Sequence, residues 1–170
     1  SPTSVYGRTK LKGEIAALES GVSIIIRTSW LYSVFGNNFM KTIIRKGVEL
    51  GKLRIVYDQI GSPTWASDLA NVIVGIVLRS KEDFAPGIYN YSNEGVCSWY
   101  DFAYEIVTKQ GINCTVTPVL SSEYQTKAPR PSYSVLDKSK IRSRFAITIP
   151  HWKDSLHKCL KEFSEINRQT

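Results

Sequence analysis

Histidine and cysteine are scarce in this sequence, and their placement excludes several kinds of chemistry. The two histidines, His151 and His157, fall on different faces of a helix, which argues against a two-histidine metal site. The three cysteines, Cys97, Cys114 and Cys159, are odd in number and widely separated, with no Cys-x-x-Cys pair. They indicate buried free thiols rather than a disulfide framework or a zinc site. No apolar run approaches the roughly 18 residues that a membrane helix needs. The opening Ser1-Pro-Thr-Ser4 lacks the basic-then-apolar pattern of a signal peptide, so the expectation is a soluble, cytoplasmic chain without membrane contact.

What remains is a globular mixture: 42% hydrophobic and 22% charged over 170 residues suffices for one core of domain size. The net charge of +7 is compatible with a nucleic-acid partner, with an anionic small substrate such as a sugar nucleotide, or with a solvated basic face. A nucleic-acid binder needs a clustered stripe, whereas here Lys and Arg are scattered; the densest run is Lys138-Ser-Lys-Ile-Arg-Ser-Arg144. That distribution favours the small anion over nucleic acid.

Periodicity places the elements. Leu11, Ile15 and Leu18 recur at helical spacing, so Tyr6 to Leu18 reads as a helix ended by Gly21. The β-branched run Val22 to Ile26 reads as a strand buried on both faces, as in a parallel sheet. Asn37 and Asn38 can cap a helix running through Val48 to Gly51, and Leu53 to Tyr57 alternates as a strand. Asp58 to Pro63 reads as a loop, and Ala66 to Leu78 as an amphipathic helix. Pro86-Gly87 turns into a strand over Ile88 to Tyr91, and Ser98, with Asp101 in the first turn, caps a helix through Thr108. A strand follows over Thr115 to Val119, then a proline-bearing loop from Ser121 to Ser134. The last helix runs from about Trp152 to Phe163 with Leu156, Cys159, Leu160 and Phe163 inward. The class is therefore α/β with helices outnumbering strands, and Ile24 to Ile26 is too apolar for an exposed sheet edge.

Tyr6 and Lys10 stand one helical turn apart near a helix start, so they share a face on which the ammonium can stabilise the phenolate. Reduction of a ketone by a nicotinamide needs such a proton donor, because hydride arriving at carbon leaves an alkoxide. Spacing alone favours an ordinary exposed pair. The surrounding residues change that reading.

Ser4-Val-Tyr6-Gly-Arg-Thr-Lys10-Leu-Lys-Gly-Glu14 resembles the catalytic helix of the extended short-chain dehydrogenase/reductases. Five later stretches resemble the dTDP-4-dehydrorhamnose reductase branch of that family, in the same order. These are Ile26-Arg-Thr-Ser-Trp30-Leu-Tyr32, Phe35-Gly-Asn-Asn-Phe-Met40, Tyr57-Asp-Gln-Ile-Gly-Ser-Pro-Thr64, Asp68-Leu-Ala70 and Arg130-Pro-Ser-Tyr-Ser-Val-Leu-Asp137. The likeness runs from about Ser4 to Ile141.

The resemblance implies a fold in which the last part of a Rossmann-type parallel sheet, residues 1–33, leads into a small α/β sugar-nucleotide-binding domain, residues 34–170. Later elements of that second part have room to return to the Rossmann core. It implies that NADPH or NADH gives hydride to C4 of a dTDP-4-ketosugar, with Tyr6 as proton donor and Lys10 assisting. Tyr6, Lys10 and Thr28 would touch the cofactor, and Trp30, Asn38, Gln59 and Arg130 the substrate. An indole suits the apolar face of a deoxysugar, and an arginine can hold a diphosphate bidentately. By residue type alone Trp30 equally fits core packing, Asn38 a helix cap, Gln59 a turn and Arg130 a plain surface.

The glycine-rich turn with which such reductases begin does not occur in these 170 residues, nor does the family's third catalytic Thr or Ser upstream of Tyr6. The expectation is therefore a chain without the dinucleotide-binding half, which alone neither binds NADPH tightly nor turns over. Its apolar strand would want a cover, a homodimer being one way to supply it. Two other identities fit the same fold: a non-catalytic relative serving as regulatory subunit, and a reductase or epimerase of another nucleotide sugar.

Overall fold

Caps written in the sequence bound the first helices. The computed structural model describes residues 5–79, 84–123 and 130–168. Helix α1, Val5–Glu19, ends one residue before Ser20 and a left-handed Gly21, φ 69°. Helix α2, Phe39–Leu50, starts at Asn38, whose side-chain oxygen accepts from Lys41 N at 3.2 Å. It stops at Gly51, which adopts φ 63° and donates its N–H to Gly47 O; only a left-handed residue turns the chain there at low cost. Helix α3 spans Ala66–Arg79, and α4, Trp99–Lys109, opens with a reciprocal capping box between Ser98 and Asp101.

The strands pair two by two. Strand β1, Ile24–Arg27, runs parallel to β6, Gly87–Asn90, with Ile24 opposite Gly87 and Arg27 opposite Asn90. Strand β2, Leu31–Tyr32, is parallel to β5, Thr64–Trp65, and β3, Lys52–Val56, is parallel to β8, Thr115–Val119. Strand β4, Ile60–Gly61, is antiparallel to β7, Cys97–Ser98. The class is α/β with mainly parallel pairs, as the sequence predicts.

Two expectations fail, and one helix was not foreseen. Among the described residues eight strands stand against six helices, because four strands are only two residues long and carry no readable alternation. The isoleucines of β1 are half-buried rather than enclosed on both faces, and β6 is the strand's partner among the described residues. The basic run conceals helix α5, Ser139–Phe145, whose Ile141 and Phe145 lie one turn apart and are buried, while of the cations between them Arg142 reaches Glu94 and Arg144 lies over the Phe145 ring. Part of the proline-bearing loop, 124–129, lies outside the described residues.

Two apolar cores form. The larger joins α2, α4, β3 and α6, Trp152–Arg168, through Met40, Ile43, Leu53, Phe102, Ile106, Leu156 and Leu160. Enclosing each such side chain stabilises the fold by about 1.5–3 kcal/mol. The smaller packs Ile76, Tyr89, Ile141 and Phe145 against half-buried Ile24 and Ile26, so it ties β1 to elements far along the chain. Between the two lies a polar knot. Asn93 Nδ2 donates to Asp68 Oδ2 at 2.6 Å and Ser155 Oγ to the same oxygen at 2.5 Å, while Asn93 Oδ1 accepts from Trp65 N at 2.8 Å.

The basic run is absorbed by the fold. Lys138 is buried and holds Asn93 O at 3.0 Å and Glu94 at 3.1 Å; Lys140 donates to Ile88 O and lies over the Tyr89 ring; Arg142 reaches Glu94. Cys97 and Cys159 are buried free thiols, and burial pushes the Cys159 thiol up to about 12; Cys114 is half-buried. His157 Nε2 meets Glu105 at 2.7 Å. No helix among the described residues is long and apolar enough to cross a membrane.

Candidate functional site

Helix periodicity places Tyr6, Lys10 and Glu14 on one face of α1. With Thr9, Gly13, Thr28 and Leu136 they line an open cleft of about 700 Å³ between α1 and β1. Arg27, the last residue of β1, closes the cleft by a two-pronged bond to Glu14, at 2.9 and 2.5 Å. The hydrogen-bonded guanidinium holds the Glu14 carboxyl below the usual carboxylate range. Tyr6 is 73% exposed, and no residue of α1 is buried, so the phenol and ammonium open onto the cleft and solvent rather than a core. The phenol and the ammonium are the donors this cleft offers, since the hydroxyls of Thr9 and Thr28 already donate to Tyr6 O and Thr64 Oγ1 and present only lone pairs.

Beyond β1 the chain turns sharply and is fastened to residues 62–64. Thr28 Oγ1 donates to Thr64 Oγ1 at 3.1 Å, Thr64 Oγ1 to Ser29 O at 2.7 Å, Ser29 Oγ to Ser62 O at 2.9 Å, and Thr64 N to Trp30 O at 3.1 Å. Trp30 adopts φ 47°, a left-handed conformation that costs a bulky residue roughly 1–3 kcal/mol and persists only where its surroundings impose it. Its indole stacks on Trp99, centroids 3.5 Å apart and planes 8° off parallel.

The far side of this turn opens into two adjoining cavities. One, of about 300 Å³, is lined by Ser29, Trp30, Gln59, Trp99, Arg130, Pro131 and Ser134. The other, of about 210 Å³, shares Gln59, Trp99 and Arg130 and adds Phe39, Arg54, Ile55, Val56 and Ser121. Gln59 is buried and donates to Ser121 Oγ at 2.8 Å. Ser121 in turn gives its N–H and hydroxyl to Asp58, and those bonds hold the Asp58 carboxyl below the ordinary range. The Arg130 segment is pinned just after that residue: Ile60 N donates to Ser132 O at 2.8 Å, and Ser134 N to Ile60 O at 2.9 Å.

The structure thus gathers the sequence-predicted residues into two groups, Tyr6 with Lys10 and Thr28, and Trp30 with Gln59 and Arg130, which meet across residues 28–30. Asn38 joins neither lining; its amide caps α2 and donates to Ser33 O at 2.7 Å. Sequence reasoning missed Trp99, Phe39, Arg54 and Ser121. Trp99 had a readable signal, an aromatic beside the Ser98 cap, but nothing in one dimension places it on Trp30. Glu14 stood in plain sight, one turn beyond Lys10.

Comparison with known proteins gives a consistent result. The family described as RmlD substrate binding domain matches residues 1–165. The spore coat polysaccharide biosynthesis protein SpsK of Bacillus subtilis strain 168 is 40% identical over 164 residues, covering 96% of this chain and 56% of the relative. The crystal structure of a dTDP-4-dehydrorhamnose reductase from Clostridium acetobutylicum superposes with a TM-score of 0.89 at 37% identity, over 96% of this chain and 57% of that one. That of dTDP-4-dehydrorhamnose reductase from Bacillus anthracis, in complex with NADP, gives 0.88 at 37% identity, over 95% and 56%. The chain spans a little over half the length of these relatives.

Proposed function

Because this chain belongs to the RmlD substrate binding domain family, we propose that it forms the sugar-nucleotide side of an NAD(P)H-dependent dTDP-4-dehydrorhamnose reductase. In this reading the full-length protein converts the C4 ketone of dTDP-4-dehydro-L-rhamnose to the alcohol of dTDP-L-rhamnose. The observation that carries it is the juncture at residues 28–30. One side is a cleft with a phenol and an ammonium; the other is an aromatic cavity with an arginine, as a proton-transfer centre and a sugar-diphosphate site must adjoin.

Tyr6 donates its phenolic proton to the C4 oxygen as that oxygen becomes an alkoxide, and Lys10, one turn on, stabilises the phenolate left behind. Tyr6, Lys10 and Thr28 would hold the ribose and nicotinamide end of the cofactor, which, when bound, supplies the hydride to C4. That the Bacillus anthracis relative was solved in complex with NADP supports a nicotinamide cofactor for the full-length protein. Trp30 offers the deoxysugar an apolar face and an N–H donor, Gln59 orients, and Arg130 pairs with the diphosphate. Residues 1–33 belong in this scheme to the cofactor-side layer, to which β6 and α5 return, and the remaining elements build the sugar-nucleotide domain.

The test is turnover by the full-length protein, followed as NADPH consumption with the dTDP-4-ketosugar. Tyr6→Phe should lower kcat by about 10²–10⁴-fold while sugar-nucleotide binding persists. A wild-type protein that binds the ketosugar but never oxidises NADPH, or a Tyr6→Phe variant as fast as wild type, would refute the assignment.

A further inference from the structure

Trp30 carries three features that ordinary packing does not require together. Its backbone is left-handed at φ 47°, and among the described non-glycine residues only Ala146 shares that region. It abuts Gly61, where an added Cβ would sit 2.5 Å from Trp30 Cε2 and 2.7 Å from Cζ2. Gly61 itself has no positive φ, so glycine is needed there by the indole, and by Ser134 Oγ 2.8 Å from the same point, and not by the backbone. The ring also lies flat on Trp99, whose own position is set twice over, by the capping box at the start of α4 and by Phe39, 4.6 Å away.

A tryptophan serving only as filler would relax its backbone and find another rotamer. Here backbone, floor and stacking partner each constrain one ring, and both indoles line the cavity that contains Gln59 and Arg130. We propose that Trp99 is a positioning residue for substrate binding: seated against Gly61, the Trp30–Trp99 pair is one preformed aromatic platform on which the sugar ring is received. A platform rigid before the substrate arrives spares binding the cost of ordering it. This rests on the reading of Trp30 as a sugar contact.

The experiment uses the full-length protein and three variants, Trp99→Phe, Gly61→Ala and Trp30→Phe, read by far-ultraviolet circular dichroism and steady-state kinetics. Two closely stacked indoles give an exciton couplet, which wild type should show and the sugar nucleotide should perturb. Trp99→Phe and Gly61→Ala should both weaken the couplet and raise KM for the ketosugar by about five- to tenfold, with kcat changed less and NADPH affinity kept. Gly61→Ala does this with both tryptophans present, so it separates ring placement from loss of a ring. Should Gly61→Ala fail to fold, Trp99→Phe alone decides, since a phenyl ring preserves the packing.

A wild type without the couplet, or variants that lose it with KM unmoved, would overturn the platform. If Trp30→Phe leaves KM untouched while Trp99→Phe raises it, the platform falls as a Trp30 device. If wild type does not turn over the ketosugar, the functional reading fails instead, and a couplet that the sugar nucleotide still perturbs supports the platform as a binding element.

Discussion

Replacing Asn93 by alanine should remove the joint between the two cores. Its side chain donates to Asp68 Oδ2 at 2.6 Å and to Ser155 Oγ at 2.9 Å, and accepts from Trp65 N at 2.8 Å, with the residue fully buried. A hydrogen bond to a carboxylate is worth about 1.5–3 kcal/mol, and a backbone N–H left buried without a partner costs about 1–3 kcal/mol. Ser155 still serves Asp68 and the terms are not additive, so the expected net loss is about 3 kcal/mol, within roughly 2–5. Urea denaturation of the full-length protein reads this as a fall in midpoint at constant slope. Asn93→Asp refines the test: it can still accept from Trp65 but sets a second carboxylate against Asp68. Its destabilisation should therefore exceed that of a simple lost donor at neutral pH and shrink on acidification, because one of two neighbouring carboxyls then takes a proton. If Asn93→Ala costs less than about 1 kcal/mol, the knot does not hold the cores and the reasoning fails.

Three further outcomes are expected. The hydrogen bonds from Ser121 place the folded pKa of Asp58 below its ordinary value of 3.8, so their stabilisation is complete above that range and lost as pH falls through it and below. The melting temperature of wild type should thus exceed that of Asp58→Asn at neutral pH, with the gap closing below about pH 4; a gap indifferent to pH would contradict this. Lys138→Met strips Glu94 and the Asn93 carbonyl of a buried partner and should cost about 1–3 kcal/mol in denaturant titration, against the roughly 0.5 kcal/mol of a surface charge. Gly51→Ala forces a side chain into a left-handed C-cap where its Cβ would meet only Asn113 O, at an ordinary 3.9 Å, so about 1 kcal/mol of backbone cost should appear without any packing defect.

Most helices and the longer strands were legible because their determinants are local. Asn38 and Gly51 bracket α2, Ser98 and Asp101 start α4, and the Leu156–Cys159–Leu160 spacing faces α6 inward, all within a few residues of chain. The two-residue strands were not legible, since they exist only through partners such as Thr64 for Leu31. Nor was α5, whose apolar pair is outnumbered by cations that turn out to be committed to Glu94, Asn93 and Ile88.

By itself the sequence determined which candidate groups the chain carries: a tyrosine and lysine one turn apart on a helix, a tryptophan after the first strand, and an arginine between prolines. Which of these lie together was decided by tertiary structure alone. Residues 28–30 are fixed by hydrogen bonds to residues 62–64, more than thirty positions away, and Trp30 lies against Gly61 and Trp99. Asn38, equally polar and equally near in sequence, is spent on its own helix. The physical reason is range: caps and amphipathic faces are settled by neighbours in the chain, whereas a cavity needs several segments to close around one space.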